Sequence, residues 1–436
     1  MTPKPKFGSA TFMLPTSCKL DLDLRLLLLA PEDELIRFFV LEMMKRRFLN
    51  LVTENLDTGL YSLRRLDLSS HLFYPSVAAA EAATARTEAA IMANAEAQAG
   101  YKHGLRHLRT MATSLAPLPD ATINLRPCGP NRFRPSLDLV ALLGDESRIL
   151  CADTTGRTAL YDASSHAVMC VPDLWTPKGP KAIPISITLG SDGHPGQRDR
   201  LCVLGRRPLP DPGDRERCFE QLSYGGDDVF SEDHLIQYWS PLPPPPFLEN
   251  EPSAVVGPYT VVGTTIYASP EEPGTGTYSF DTVSLQWRLV SNWRLPFYGK
   301  AEYLPELNLC FGLSSSRPFH LCAADLSALN FERPPATRHT WVDFDMPKSW
   351  MPFHLDLINL GSGRFCIVKM FESTEPSQYD EAYDDTGEAF NLPDLIRHDF
   401  AVLTGVEVVP CDGKLRMIKH MCKYHLFEDD TILWVL

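Results

Sequence analysis

A short pattern recurs along the chain and constrains its fold more than any other feature. The stretch 156–162, GRTALYD, returns as GTYSFD at 276–281 and more weakly as LCAAD at 321–325. Each copy has strand character and ends in Asp, whose carboxylate can accept a hydrogen bond from the backbone two residues on and so open a turn. Another strand-like run follows, beginning at Val168, Trp287 or Phe331. The pattern predicts strand, Asp turn and strand, and it carries no chemistry.

Strand-like runs fall into sets of four at a period of about 40–50 residues, which is typical of β-propeller blades. Five sets begin near Leu137, Ile183, Tyr259, Ala301 and Leu355. Trp239, Trp293 and Trp341 each fall on the last strand of a set, where a bulky residue can cover the gap between blades.

The five sets leave over a hairpin formed by residues 48–53 and 60–68 and a final strand at 432–436. We predict that these pieces join into one further blade, because closure removes the exposed edges of a lone hairpin. The predicted fold class is therefore all-β: a single β-propeller with six four-stranded blades. Seven blades are the alternative, with the region near 101–125 contributing more strand.

The predicted propeller domain covers residues 45–436, after an N-terminal extension at 1–44 that has Met43 or Met44 as alternative starts to Met1. Residues 76–113 contain many alanines and predict an inserted segment that is either a short helix, since Ala is the best helix former, or disordered. The stretch 372–394 holds eight acidic residues without Lys or Arg and predicts a solvated acidic loop.

Composition and charge exclude several classes of partner. The net charge is −14, and the acidic loop supplies more than half of it, so there is no basic stripe for nucleic acid and no attraction to an anionic membrane. We find no apolar run of about 20 residues and no signal peptide. We therefore expect a monomer in the cytoplasm or the nucleus.

The 11 cysteines are widely spaced, and no two of them form a Cys-x-x-Cys pair. Cys151, Cys202, Cys310 and Cys366 lie inside apolar strand-like runs. Free cysteine is among the most buried residue types, so we expect reduced core thiols and a reducing compartment.

The sequence resembles a family of uncharacterised proteins, expanded in grasses, that is known as domain of unknown function 1668. The resemblance covers roughly residues 46–436 and is carried by segments 46–52, 60–65, 72–75, 156–162, 242–247, 276–282, 301–303, 321–326, 361–366 and 403–408. It implies a kelch-like propeller in a plant protein and supplies no catalytic residue. The extension before Met44 and the Ala-rich insertion depart from the family's pattern.

Candidate sites are few. The nearest approach to a metal site is the group His420, Cys422 and His425. A structural zinc site needs four ligands, and only three are present here. On a regular strand, His420 and Cys422 would share one face while His425 faces the other. Arg148 and Arg364 are expected at the rim, where they form no substrate clamp. Residues 243–246, PPPP, are either a polyproline II ligand or a rigid connector.

We therefore predict no catalytic, cofactor-binding or metal-binding residue and no cofactor. The predicted function is a non-catalytic β-propeller scaffold for protein–protein interaction, with an unknown protein partner. The alternative is a propeller enzyme or small-molecule binder that uses the central channel.

Overall fold

In a computed structural model of the chain, the structure describes residues 46–86, 116–127, 135–187, 199–207, 213, 216–224, 236–327, 331–344, 346, 350–376, 395–411, 413–427 and 429–436. The predicted extension at 1–44 lies outside these ranges, as do residues 87–113 of the Ala-rich insertion and 377–394 of the acidic loop.

Strands dominate the described chain. The first eleven are β1 (Phe48–Asn55), β2 (Tyr61–Asp67), β3 (Ala121–Leu125), β4 (Leu137–Leu142), β5 (Arg148–Asp153), β6 (Thr158–Asp162), β7 (Ala167–Cys170), β8 (Ile183–Ile187), β9 (Asp199–Leu204), β10 (Phe219–Tyr224) and β11 (Ile236–Pro241). The next eight are β12 (Val256–Val262), β13 (Thr265–Pro270), β14 (Thr277–Asp281), β15 (Gln286–Ser291), β16 (Phe297–Leu304), β17 (Leu309–Ser314), β18 (Leu321–Ala324) and β19 (Thr337–Trp341). The last five are β20 (Trp350–Gly361), β21 (Arg364–Pro376), β22 (Leu395–Cys411), β23 (Lys414–Phe427) and β24 (Asp430–Val435).

Helices are short in the described part of the chain: α1 (Leu68–His71), α2 (residues 77–86) and α3 (Phe247–Asn250). The helix α2 agrees with the helical form of the predicted insertion. Among the described residues, no helix has the length and apolar character needed to cross a membrane.

The described strands form six four-stranded antiparallel groups, which we call sheets I to VI. Sheet I has the order β24-β1-β2-β3, and sheets II to VI contain β4–β7, β8–β11, β12–β15, β16–β19 and β20–β23 in chain order. Sheets IV and V are joined by a parallel pairing of β12 with β16. The all-β, propeller-like arrangement confirms the predicted fold class, whereas the number of blades stays a prediction.

The chain's last strand completes the sheet that its first hairpin begins. In the β1–β24 ladder, Leu51 pairs with Val435, and Asn50 and Leu436 exchange two backbone hydrogen bonds of 2.9 Å each. The predicted closure is therefore confirmed. β3 lies in the region near 101–125, where the seven-blade alternative placed further strand, and it supplies the fourth strand of this sheet.

In sheets II to VI the first strand in chain order lies nearest the axis of the ring, and in sheet I this place is taken by β24. Besides the β12–β16 pairing, β16 contacts β20 and β4 contacts β8. These six inner strands (β24, β4, β8, β12, β16 and β20) surround the space that we call the central channel.

The core lies between the faces of neighbouring sheets. Trp239 is buried between sheets II and III, and Trp341 packs against Phe311 and Phe365 between sheets V and VI. Trp293 is buried against sheet V, but it follows the end of β15 at Ser291 instead of lying on the strand. All three tryptophans cover gaps between sheets, as predicted.

The three repeated Asp turns form as predicted, after β6, β14 and β18. Asp162, Asp281 and Asp325 accept backbone hydrogen bonds of 2.8–2.9 Å from the residue two positions on. The Ser164 hydroxyl also donates to Asp162, and these hydrogen bonds hold the pKa of that carboxyl below its usual value. Gly276, at φ 85°, could not carry a Cβ, which would lie 2.2 Å from the Ser291 carbonyl oxygen.

The acidic loop is shorter than predicted. β21 continues to Pro376 and β22 already begins at Leu395, so both strands extend beyond the runs that the sequence indicated. Apolar periodicity marks the buried part of a strand, and β21 and β22 extend past that part.

Candidate functional site: the central channel

Charged groups from sheets that are not neighbours approach each other across the central channel. Lys181 precedes β8 in sheet III, and Asp356 lies on β20 in sheet VI. Burial lowers the pKa of Lys181, and the Asp356 carboxylate opposes that effect. Because sheets IV and V separate sheets III and VI along the chain, this interaction spans the channel.

Two tyrosines and an arginine join this cluster. Burial raises the pKa of Tyr259 on β12 above its usual value, with the Asp356 carboxylate adding to the effect and Arg206 opposing it. Burial also raises the pKa of Tyr298 on β16, which is close enough to Arg206 and Asp356 to respond to their charges. We call Lys181, Arg206, Tyr259, Tyr298 and Asp356 the channel mouth.

Arg206 is held at the mouth by an ion pair. Its Nη2 atom lies 3.1 Å from Oε1 of Glu271, and both side chains are more than one third exposed. An exposed pair of this kind stabilises the fold by less than about 1 kcal/mol, so either group can exchange its partner for a ligand at little cost.

His354 and Asp356 share one face of β20 because alternate residues of a strand point the same way. His354 Nε2 lies 2.5 Å from Asp356 Oδ2, and the two side chains are 18% and 30% exposed. The carboxylate orients the imidazole, as a third group orients the base in catalytic triads.

A second group of charges lies next to the channel mouth, because Lys300 is the register partner of Tyr259 in the β12–β16 pairing and the Glu302 carboxylate also acts on the pKa of Tyr259. Lys300 Nζ is 2.6 Å from Glu302 Oε1 on β16, and burial lowers the pKa of Arg46 while Glu302 and Glu146 oppose that effect. A bulge between Tyr298 and Glu302 interrupts the β16–β17 register, and Gly299 takes a φ of 60° there.

The His420, Cys422 and His425 residues do not form one site. His420 Nδ1 accepts a hydrogen bond from the Tyr74 backbone N–H at 3.2 Å, and His425 Nδ1 lies 2.8 Å from the Ala116 carbonyl oxygen. Cys422 packs beside the Phe344–Trp350 cluster instead. In the described residues, no group of three His, Cys, Asp or Glu side chains is placed to hold a metal ion.

The expectation that His420 and Cys422 share a face was wrong, because the β22–β23 register shifts between Thr404 and Val406. The extra residue on β23 turns His420 towards Glu407, at 3.1 Å, and towards the Phe73 ring, at 4.9 Å. A bulge of this kind has no signal in strand periodicity.

The sequence predicted Arg364 at the rim, and this prediction is wrong. Arg364 is 5% exposed, and its Nε atom lies 3.3 Å from Oε2 of Glu407. Arg148 begins β5, paired with Asp162 in the strand register. Residues 243–246 lead from β11 into α3, and the Trp287 indole donates to the Pro243 carbonyl at 2.8 Å. This packing is that of a rigid connector.

Sequence reasoning missed the channel mouth. Its members precede, follow or lie within short strands and are far apart in the chain. The one local signal in this region is the His-x-Asp spacing of His354 and Asp356 inside a strand whose other residues are apolar apart from Asn359.

Comparison with known proteins gives a family but no activity. A family model described as "Protein of unknown function (DUF1668)" matches residues 46–425. No curated protein is similar enough to count as a match.

Solved structures are similar at a low level. The β-propeller domain of Myceliophteria thermophila Cps50 (Swd1) is 14% identical with a TM-score of 0.25, and the match covers 44% of this chain and 49% of that one. The chain therefore spans about half the length of that protein. A putative TolB from Agrobacterium tumefaciens is 9% identical with a TM-score of 0.36, over 71% of this chain and 94% of that one. The α-L-arabinofuranosidase PaAbf62A from Podospora anserina is 12% identical with a TM-score of 0.29, over 59% and 90%.

Proposed function

Because the chain belongs to DUF1668, a family of proteins of unknown function, we propose its role from the geometry of the channel: it is a non-catalytic β-propeller scaffold that binds a protein partner at the channel mouth. The observation that carries this proposal is that the mouth combines side chains from sheets III to VI. Such a site exists once the ring is assembled, and it presents a rigid surface to a partner.

The chemistry of the mouth favours a protein over nucleic acid or a membrane. Lys181 and Arg206 lie beside Asp356 and Glu271, so both signs of charge are present, together with two tyrosines. Tyr and Arg are enriched at the centres of protein interfaces, whereas a nucleic-acid site needs a predominance of cations. The partner segment that fits this surface carries acidic and basic side chains in alternation.

The same proposal has finer parts that rest on the resemblance and on composition. We assign residues 45–436 to one kelch-like propeller domain of a plant protein, acting as a monomer in the cytoplasm or the nucleus. The reduced state of the buried cysteines supports a reducing compartment.

Charge reversal at the mouth tests the binding role. The tagged double variant Lys181→Glu/Arg206→Glu is compared with the wild type and with Arg288→Glu, a matched control at an exposed position on β15. Quantitative mass spectrometry of proteins captured from extracts of cells that produce the protein should show one set that the double variant loses and the control keeps. Identical sets from all three proteins would contradict the proposal.

A photo-crosslinking residue gives a direct measurement. Placed at Tyr298 it should join the partner covalently, and placed at Tyr238, which is 69% exposed on the outer strand β11, it should not. Equal crosslinking from both positions would move the interface away from the channel.

The pairing of His354 with Asp356 favours a second candidate, a propeller enzyme or small-molecule binder that uses the channel. If the channel binds a small molecule, at least one compound in a thermal-shift screen should raise the melting temperature of the wild type and leave that of His354→Gln unchanged. A screen in which both proteins respond alike would remove it.

A further inference from the structure

A cleft of about 370 Å³ lies between sheets V and VI, away from the channel. Its walls come from the turn between β16 and β17, the strand β19 with the turn before it, and the turn between β22 and β23. Ligand sites of small molecules begin at about 300 Å³, so this cleft suits a molecule with one or two fused rings.

One wall of the cleft is formed by the end of a stack of parallel rings. Trp341 stacks on Phe311 with 6.2 Å between ring centroids and an angle of 6° between planes, and His339 stacks on Trp341 at 5.2 Å and 6°. His339 is the last ring of this stack and lines the cleft together with Leu307 and Leu415. A flat apolar body would continue the stacking and cover these leucines.

The charged groups of the lining are mostly positive, in a protein whose net charge is −14. Arg338 and Lys414 line the cleft with one acid, Asp325, whose Oδ2 atom lies 2.7 Å from Arg338 Nη2. Asp325 also accepts two hydrogen bonds from Ser327, at 2.9 and 2.6 Å. Arg338 remains 59% exposed, so part of its guanidinium is available to an anion.

We propose that this cleft binds a small aromatic acid. The aromatic body stacks on His339 and contacts Leu307 and Leu415, while its carboxylate accepts hydrogen bonds from Arg338 and Lys414. The combination of ring stack, apolar surface and excess positive charge distinguishes this ligand class from a neutral aromatic molecule and from an aliphatic acid.

Titration calorimetry of the full chain tests the proposal with three probes. 2-Naphthoate carries both features, 2-naphthamide lacks the charge and cyclohexanecarboxylate lacks the aromatic body. 2-Naphthoate should bind roughly tenfold more tightly than either of the others, because each lacks one of the two groups of contacts. Binding of 2-naphthamide as tight as that of 2-naphthoate, or no 2-naphthoate binding in the millimolar range, would overturn the assignment.

Two variants locate the binding site. Arg338→Glu should weaken 2-naphthoate binding by roughly tenfold or more, while Arg288→Glu, at a similar place on the outer strand of sheet IV, should leave it unchanged. Where Arg338→Glu lowers the melting temperature, Lys414→Glu in the β22–β23 turn replaces it, because Lys414 is exposed. Equal binding by the cleft variant and the control refutes the proposal.

Discussion

Replacing Lys178 with Met should destabilise the fold strongly. Lys178 lies in the segment that leads from sheet II to sheet III, and its ammonium group pairs with the Glu220 carboxylate on β10. The same Nζ atom lies 2.8 Å from the Thr176 carbonyl oxygen, 2.9 Å from the Thr176 hydroxyl and 2.8 Å from the Arg217 carbonyl oxygen, so its three N–H groups are shared among four acceptors. Both side chains of the ion pair are 0% exposed.

The expected magnitude follows from what the Met side chain leaves behind. The Glu220 carboxylate still accepts hydrogen bonds from two backbone donors, Trp175 N–H at 3.1 Å and Thr176 N–H at 3.3 Å. It loses the Lys178 ammonium with which it forms the ion pair. Removing one partner of a fully buried pair costs about 3–5 kcal/mol, because the remaining charge stays out of water without compensation.

Urea unfolding followed by tryptophan fluorescence measures this loss. The midpoint should fall by about 1 M, given the steep urea dependence expected of a chain of this size. The matched control is Lys300→Met, which removes the lysine of the Lys300–Glu302 ion pair. The Lys300 side chain is 38% exposed and the Glu302 side chain 18% exposed. The control should cost no more than about 1 kcal/mol.

The double variant Lys178→Met/Glu220→Leu separates two explanations. If the loss comes from the uncompensated charge, the double variant should recover most of it, because well-packed apolar groups can replace a buried ion pair. A Lys178→Met loss no larger than the loss in the control would refute the argument from burial.

Two further predictions concern titratable groups. Burial raises the pKa of Asp343, but the hydrogen bond from His320 and the ammonium of Lys369 outweigh burial and hold this pKa below its ordinary 3.8. The Asp343 carboxylate therefore stabilises the fold at neutral pH, and this stabilisation is lost as the pH falls through the lowered pKa. Thermal unfolding should show Asp343→Asn less stable than the wild type at pH 7, with the difference shrinking below about pH 4, and a constant difference would contradict this. Burial raises the pKa of Cys151 to about 12, so peptide mapping of natively alkylated protein at pH 8 should find the exposed Cys170 and Cys411 modified and Cys151 unmodified, and rapid modification of Cys151 would contradict the burial.

The parts of the fold that sequence could predict are those with a local signal. The Asp162, Asp281 and Asp325 turns depend on a carboxylate that bonds its own backbone, so their residues predict their structure. The place of the final strand follows from the sequence as well, because a strand at 432–436 without a sequence neighbour pairs with the free edge of the first hairpin. Closure follows from the cost of unpaired edges and needs no motif.

What the sequence could not show depends on tertiary context. β3 is short and partly exposed, and the Ala-rich insertion separates it from β2. The alternation of apolar residues therefore indicates this strand only weakly. The buried positions of Arg364 and His420 depend on the β23 bulge and on the loop at Phe73, which comes from the other end of the chain.

The channel mouth shows the same limitation, and under the proposed binding role it links binding to closure of the ring. Lys181 and Asp356 are brought together by the radial arrangement of the sheets, and Arg46 approaches Glu302 from sheet I in the same way. No window of sequence contains these pairs, so no local pattern could have predicted them. Because sheet I is completed by the pairing of β1 with β24, loss of that pairing would open the ring and separate Arg46 from Glu302. Binding at the channel and pairing of the terminal strands should therefore be thermodynamically linked, with a bound partner favouring the closed ring.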